Sequence, residues 1–283
     1  MITEKIDLYK WAGVERKGEE KGYLYSFRHM VVTEMNVRKT RPAILIFPGG
    51  GYCFVSQREG EPIALQYLAQ GFDCFVLDYD IAPAHRYPVP LVQAGMAMMY
   101  LRREADKLNI DGEHIAAIGF SAGGHLCGCI SLLWDDPALK AMWGEECERI
   151  RPDASVYSYP VVSSDKAVAH VGSFDNLCAD LVDRKDYSLD KKVRPSAKPS
   201  FIWANSPDDC VPVENSILLY SALHKAGVPV ELHIYADGWH GMATCDEEVN
   251  EGDVSDPMFR HIRTWIPLSV EFLKRFGFVV KNV

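Results

Sequence analysis

No window of this 283-residue chain approaches the roughly 18 consecutive apolar residues of a membrane-crossing helix, which excludes a helical integral-membrane fold. The opening segment, MITEKIDLYKWAG, has no continuous apolar core and carries charges throughout. It therefore does not read as an export signal, and the expectation is a soluble protein kept in the cytoplasm. CxxC pairs are also missing, although there are eight cysteines, at positions 53, 74, 127, 129, 147, 178, 210 and 245. Without that spacing, zinc-ribbon and dithiol redox readings fail. Cys127 and Cys129 fall two apart on an expected helix and point to different faces. A chain of this length needs no staples, so free, mostly buried thiols are expected. Positive charge is scarce: 30 basic against 39 acidic residues leave a formal net charge of -9. That balance argues against a phosphate-tracking surface and makes nucleic acid a poor partner. There is no internal repeat and no low-complexity tract.

What is present suits a folded chain. Hydrophobic residues make up 48% and charged residues 24%, enough to bury one large core and too apolar for wholesale disorder. The length favours one domain spanning 1–283 over two. Residues 23–35, YLYSFRHMVVTEM, mix aromatic and β-branched residues and predict one or two early strands, antiparallel if paired. Residues 42–48, PAILIFP, form a short apolar run against a glycine cluster, as a buried central strand does. A helix follows, with Pro62 in its first turn and Gly71 closing it. Further strands are predicted at Cys74–Asp78, His114–Phe120, Ala154–Tyr159, Pro199–Ala204 and Val230–Tyr235. Helical segments are predicted at 89–107, Leu126–Trp134, Val213–Lys225 and His261–Arg275. This alternation describes βαβ units: an α/β fold with a mostly parallel central sheet covered by helices on both faces. Ligands of such sheets bind beyond the C-terminal strand ends. Residues 163–198 lack a strand pattern and are expected to form loops and short helices over the site, at most a small cap.

Gly119-Phe120-Ser121-Ala122-Gly123 lies between a predicted strand and a predicted helix. A sharp strand-to-helix turn forces its central residue into a strained backbone and thrusts the side chain above the sheet edge, so small neighbours must flank it. Ser121 is thus a candidate nucleophile, with a helix N-terminus beside it where negative charge would develop. The competing reading is a serine that merely caps the helix.

Pro48-Gly49-Gly50-Gly51-Tyr52 follows the strand at 42–48. Such a glycine loop can turn several N–H groups toward one point, and the amides of Gly50, Gly51 and Ala122 are candidates for an oxyanion hole. A phosphate cradle is disfavoured, because the lysine and serine or threonine of a P-loop are missing and so is the GxGxxG spacing. A plain structural turn is the other alternative.

A serine hydroxyl needs a base to act as nucleophile. His240, in Asp237-Gly238-Trp239-His240-Gly241-Met242 just past the last predicted strand, has the setting to supply one. His125 lies on the nucleophile helix and is expected to pack or hydrogen-bond locally; His85, His170 and His224 have no comparable setting. The orienting acid should follow the preceding strand, where Asp208 and Asp209 are both available, and spacing alone does not separate them. The order serine, acid, histidine fits the α/β-hydrolase arrangement rather than those of the other two common serine relays.

On these residues the chain resembles the α/β-hydrolase superfamily, and within it the esterase/lipase group of acetylesterases and acetyl-xylan-esterase-like proteins. The likeness runs from about residue 25 to 280 through PGGGY (48–52), SQREGEPIA (56–64), LDYDIAP (77–83), GFSAGGHL (119–126), DDCVPVENS (208–216) and GWHG (238–241). It implies Ser121 as nucleophile and His240 as base. It implies Asp208 as acid, because two residues separate the acid from the Val-Pro pair in the family pattern. The glycine loop and Ala122 would form the oxyanion hole. Two positions depart from the pattern: relatives usually read Tyr-Arg at Tyr79-Asp80, and many carry histidine at Pro48. The resemblance also implies short-acyl ester substrates, often acetyl groups on sugars or xylan fragments, here on imported oligosaccharides. Arg58 and Glu59 would pair to brace the glycine loop, or simply lie on the surface. Tyr52 and Trp239 would line the substrate pocket, with Met242 beside them or merely packed.

The implied cycle is acyl transfer to Ser121 followed by hydrolysis, with no metal or organic cofactor required. The acidic run 246–253 fails the calcium-loop spacing, having no glycine at its sixth position. Two other readings compete: a peptidase or amidase using the same residues, and a noncatalytic binding protein on the same fold. Association into a homo-oligomer is compatible with any of them.

Overall fold

The computed structural model describes residues 1–32, 34 and 39–282. The chain begins with β1 (Ile2–Asp7), α1 (Leu8–Ala12) and β2 (Tyr23–Arg28), then enters the sheet proper at β3 (Lys39–Phe47). There follow α2 (Glu61–Leu68), β4 (Asp73–Asp78), α3 (Val89–Arg103), α4 (Ala105–Leu108), β5 (Ile110–Phe120) and α5 (Ala122–Leu132). Next come α6 (Pro137–Trp143), β6 (Ala154–Ser158), α7 (Val171–Leu177), β7 (Ser200–Asn205), α8 (Glu214–Lys225) and β8 (Val230–Tyr235). The chain ends with α9 (Pro257–Ile262), α10 (Trp265–Arg275) and a short β9 (Lys281–Asn282).

Among the described residues the strands lie in the order β1-β2-β4-β3-β5-β6-β7-β8, with β9 paired to the start of β3. From β4 to β8 every neighbouring pair is parallel, whereas β1 and β2 add an antiparallel edge. The expected α/β-hydrolase architecture is therefore present: a mixed, mostly parallel sheet with helices on both faces. The apolar run in β3 shows why. Ala43, Leu45 and Phe47 enter the core on one face, while Ile44 and Ile46 enter the core on the other. A strand buried on both sides must be apolar at every position. The chain crosses from β3 to one side through α2 to β4, then returns to the other side at β5. The loops after β3 and β5 consequently open the crevice where ligands of such sheets bind.

Several boundaries differ from the sequence expectation. The early strand ends at Arg28, and its partner β1 was not predicted. ITEKID lies at the sheet edge with three residues exposed and three half-buried, so its polar pattern hides the strand. Residues 33 and 35, the end of the predicted 23–35 segment, lie outside the described residues. The helix predicted at 89–107 breaks at Glu104 into α3 and α4. The helix α5 starts four residues before Leu126, directly after Ser121. α6 went unpredicted, although Asp136 caps its first turn and Pro137 opens it. The last predicted helix divides into α9 and α10. Between residues 163 and 198 the chain forms α7 and two 3-10 turns, Arg184–Tyr187 and Leu189–Lys191, without a strand among the described residues. No helix among the described residues is long and apolar enough to cross a membrane.

Candidate active site

The turn between β5 and α5 holds Ser121 at φ 53° and ψ -119°, a left-handed backbone that a side-chain-bearing residue adopts only under constraint. Backbone bonds on both sides of the residue hold it there, including one from the Val161 N–H to the Ser121 carbonyl at 3.0 Å. The Ser121 N–H donates to the Ser158 carbonyl at 3.0 Å, and its own carbonyl accepts from the His125 N–H at 3.1 Å. The turn closes because Gly123 has no Cβ, which would stand 2.1 Å from the Phe47 carbonyl oxygen. The glycine pattern thus reports how closely β3 approaches the Ser121 turn.

Above this turn three groups are in register. The Ser121 hydroxyl lies 2.8 Å from His240 Nε2, and His240 Nδ1 lies 2.7 Å from Asp208 Oδ2. The Asp208 side chain is fully buried, and its other oxygen accepts the N–H groups of Cys210 at 3.0 Å and Val211 at 2.9 Å. Asp209, which spacing could not distinguish from it, is exposed. The imidazole is held from below by the Tyr159 ring, edge to face with centroids 4.9 Å apart. The loop carrying His240 is anchored by Asn205, whose side-chain amide donates to the Trp239 carbonyl at 2.8 Å.

The glycine loop sits opposite. Gly50 runs at φ 121°, and a Cβ there would meet the Phe54 carbonyl oxygen at 2.0 Å, so only glycine fits. Among the described residues, the backbone N–H groups of Gly50, Gly51 and Ala122 donate to no protein acceptor. Free amides beside a helix N-terminus and a serine hydroxyl are what a developing oxyanion requires.

Glu59 is the residue whose role was least visible beforehand. Instead of pairing with Arg58, it turns inward and is 3% exposed. One oxygen accepts the Gly49 N–H at 2.8 Å and the other accepts the Tyr159 hydroxyl at 2.7 Å. Tyr159 in turn accepts the Ala243 N–H at 3.2 Å. Burial first, and the nearby Glu59 charge second, raise the Tyr159 hydroxyl well above its usual range, so it remains a donor. One carboxylate therefore ties the glycine loop to the phenol under His240 and onward to the histidine loop.

A pocket of about 280 Å3 opens over these groups, walled by Gly50, Gly51, Phe54, Arg58, Ser121 and His240 among others. His170, set aside on sequence grounds, is also in this wall, with its Nδ1 2.8 Å from the Ser173 hydroxyl. Its pKa is lowered by burial and by the neighbouring His240, so it favours the neutral form. Nothing in the sequence around His170 signals this, because α7 carries it to the site from the segment without strands.

Tyr52 and Trp239 depart from their expected placement on the pocket. Tyr52 is 1% exposed, and its hydroxyl meets His125 Nδ1 at 2.9 Å in the core. A positive φ of 58° turns its side chain inward under the loop. Trp239 is exposed and packs edge-on against Phe259 at 5.7 Å, outside the pocket wall. Met242 is fully buried. His125 packs locally as expected: Nε2 donates to the Tyr187 carbonyl at 2.8 Å, leaving Nδ1 to accept from Tyr52. Burial lowers its pKa to about 4. The unusual Asp80 is also structural. It is buried and accepts from the Lys21 N–H at 2.8 Å and the Gln93 side chain. Tyr79 donates to the Pro48 carbonyl at 2.6 Å, fixing the base of the glycine loop.

No group of three or more His, Cys, Asp or Glu side chains among the described residues is arranged to hold a metal ion. In the acidic run, Asp246 accepts the Thr244 hydroxyl at 2.6 Å and pairs with Arg263 at 3.3 Å.

A family profile described as alpha/beta hydrolase fold matches residues 44–244. The chain is 35% identical over 225 residues to endo-1,4-beta-xylanase B of Butyrivibrio fibrisolvens, covering 75% of this chain and 34% of that protein. It is 33% identical over 207 residues to the acetylxylan esterase of Xylanibacter ruminicola, covering 70% of this chain and 40% of that protein. The chain thus spans well under half the length of these two relatives. The crystal structure of an acetyl ester-xyloside bifunctional hydrolase from Caldicellulosiruptor lactoaceticus superposes with a TM-score of 0.78. It is 31% identical and covers 98% of this chain and 97% of that one.

Proposed function

The chain belongs to the alpha/beta-hydrolase family, and from that premise we propose that it is a serine carboxylic-ester hydrolase acting on short-acyl esters, with acetylated sugars or xylo-oligosaccharides as its natural class. One observation carries the reading: the unbroken line from the Asp208 carboxylate through the His240 imidazole to the Ser121 hydroxyl, beside three undirected amides.

In this reading Ser121 attacks the ester carbonyl while His240 Nε2 takes its proton. Asp208 keeps Nδ1 protonated, which leaves Nε2 free to accept, and stabilises the imidazolium that forms. The amides of Gly50, Gly51 and Ala122 receive the oxyanion. His240 then protonates the departing alcohol, leaving an acyl group on Ser121. Water, deprotonated by the same imidazole, attacks the acyl carbonyl, and collapse frees the acid and restores the serine.

Support for the sugar-ester class comes from the acetylxylan esterase and the acetyl ester-xyloside hydrolase to which the chain is similar. Residues 163–198 act in this proposal as a covering insertion within one domain of residues 1–283. Asn176, in the last turn of α7, donates to the Gly51 carbonyl at 2.8 Å and so links that segment to the oxyanion loop. All eight cysteines are free, which suits a reducing compartment, and a cytoplasmic setting belongs to the same proposal.

The test is substrate profiling of purified protein and Ser121→Ala on p-nitrophenyl esters of increasing acyl length, acetylated xylo-oligosaccharides and aminoacyl p-nitroanilides. The expected result is preference for acetyl and other short acyl esters, lost in Ser121→Ala. Dominant anilide turnover, or ester turnover that survives the substitution, would overturn it.

A further inference from the structure

Two concavities meet at Arg58. On one side lies the pocket over Ser121 and His240, about 280 Å3. On the other lies a cleft of about 560 Å3 whose walls include Tyr25, Phe27, Glu61, Asp78 and Glu248. Ser56 and Arg58 belong to both walls. The smaller pocket falls just short of the ~300–1,000 Å3 that encloses a whole small ligand. An oligosaccharide ester seated with its carbonyl at Ser121 extends beyond that pocket, and the neighbouring cleft is open to receive the rest.

The cleft has a definite chemical character. Tyr25 and Phe27 stand two residues apart on β2, so both rings project from one face, and each remains half-buried. Asp78 ends β4 at the edge where the site lies, Glu61 opens α2, and Glu248 comes from the loop after His240. Glu61, Glu248 and Arg58 are exposed. Three carboxylates against one guanidinium repel an anionic ligand. Flat ring faces with carboxylate acceptors at their margins suit a neutral ligand that has C–H faces and many hydroxyls.

We infer that this cleft is the subsite for the alcohol part of the substrate, an oligosaccharide that runs from the ester at Ser121 past Arg58 onto Tyr25 and Phe27. The inference rests on the reading of Ser121 as an esterase nucleophile and adds to it an extended sugar site on the β2 side.

The experiment compares wild type with Tyr25→Ala, Phe27→Ala and Glu248→Gln on p-nitrophenyl acetate and on singly acetylated xylose, xylobiose and xylotriose. In wild type, kcat/KM should rise about tenfold from the monosaccharide to the trisaccharide, the scale expected from removing ring surface from water. The ring variants should abolish most of that gain through KM while turning over p-nitrophenyl acetate as wild type does. Glu248→Gln, at an exposed position, should reduce the gain and keeps the test readable should a ring variant not fold. Equal kcat/KM at all sugar lengths, or a gain unchanged in all folded variants, would overturn the inference. So would a preference for a cationic ester such as acetylcholine that Glu248→Gln removes. Loss of p-nitrophenyl acetate turnover in wild type, or its survival in Ser121→Ala, would instead defeat the esterase reading.

Discussion

Replacing Glu59 tests how the site is held together, because both oxygens of this carboxylate are engaged by protein donors. Its two oxygens accept the Gly49 N–H at 2.8 Å and the Tyr159 hydroxyl at 2.7 Å, and it is 3% exposed. Glu59→Gln keeps the shape. Its carbonyl can still accept from Gly49, and its amide can donate to a reoriented Tyr159 hydroxyl, at the loss of charge assistance. Glu59→Ala removes both acceptors and leaves two buried donors unpaired, each costing about 1–3 kcal/mol. The first effect should be on folding, with a fall in stability of about 2–6 kcal/mol for alanine and less for glutamine. The second should be on chemistry: a loosened Gly49–Gly51 loop misaims the amides proposed to receive the oxyanion. The loss of one such donor, about 3 kcal/mol or 10²-fold in kcat, bounds what alanine can do. Negative charge on that oxygen develops only in the transition state, so KM should stay within about twofold. Steady-state kinetics on p-nitrophenyl acetate, with denaturant unfolding of the same preparations, separates the two. A folded Glu59→Ala variant with wild-type kcat, or one altered in KM alone, would refute the reasoning.

Asp208→Asn should lower kcat by about 10⁴-fold, or about 5 kcal/mol, because an amide facing Nδ1 reverses the imidazole tautomer; exposed Asp209→Asn should stay within about threefold, and kinetics of the pair in parallel checks the assignment. His125, whose pKa falls to about 4 in the fold from 6.5, should make the protein acid-sensitive. A lowered folded pKa means that this stability is fully present above pH 6.5 and is lost as pH falls toward 4, to a total of about 3 kcal/mol. Denaturant unfolding across that range should show a shallower decline in His125→Gln, which keeps a donor for Tyr187 and an acceptor for Tyr52. Gly123→Ala should abolish activity and soluble yield, since its Cβ would stand 2.1 Å from the Phe47 carbonyl oxygen; expression and esterase assay suffice to check it.

The sequence displayed the sheet well because strands buried on both faces must be apolar throughout, as Ala43–Phe47 are. It displayed β1 poorly because an edge strand needs no such pattern. At the site, the residues proposed to react follow strand ends and carry recognisable neighbours: glycines around Ser121, and small residues around His240. Asp208 and Asp209 look alike as text, and only burial and the two amides on Asp208 Oδ1 part them. Glu59 and His170 were harder still, because their places depend on contacts across about 100 and 50 residues of chain that no local spacing encodes. Tyr52 was misread for a related reason. A residue beside a ligand loop invites a ligand role, but its positive φ turns the ring into the core.

The central claim is that a single hydroxyl, activated by one imidazole, becomes acylated during turnover. Reaction of the intact protein with a fluorophosphonate, followed by peptide mass mapping, addresses it directly. The account predicts one adduct per chain, on Ser121, formed far more slowly in His240→Ala. An unlabelled protein under conditions that modify a known serine esterase, or an adduct on any other residue, would contradict it.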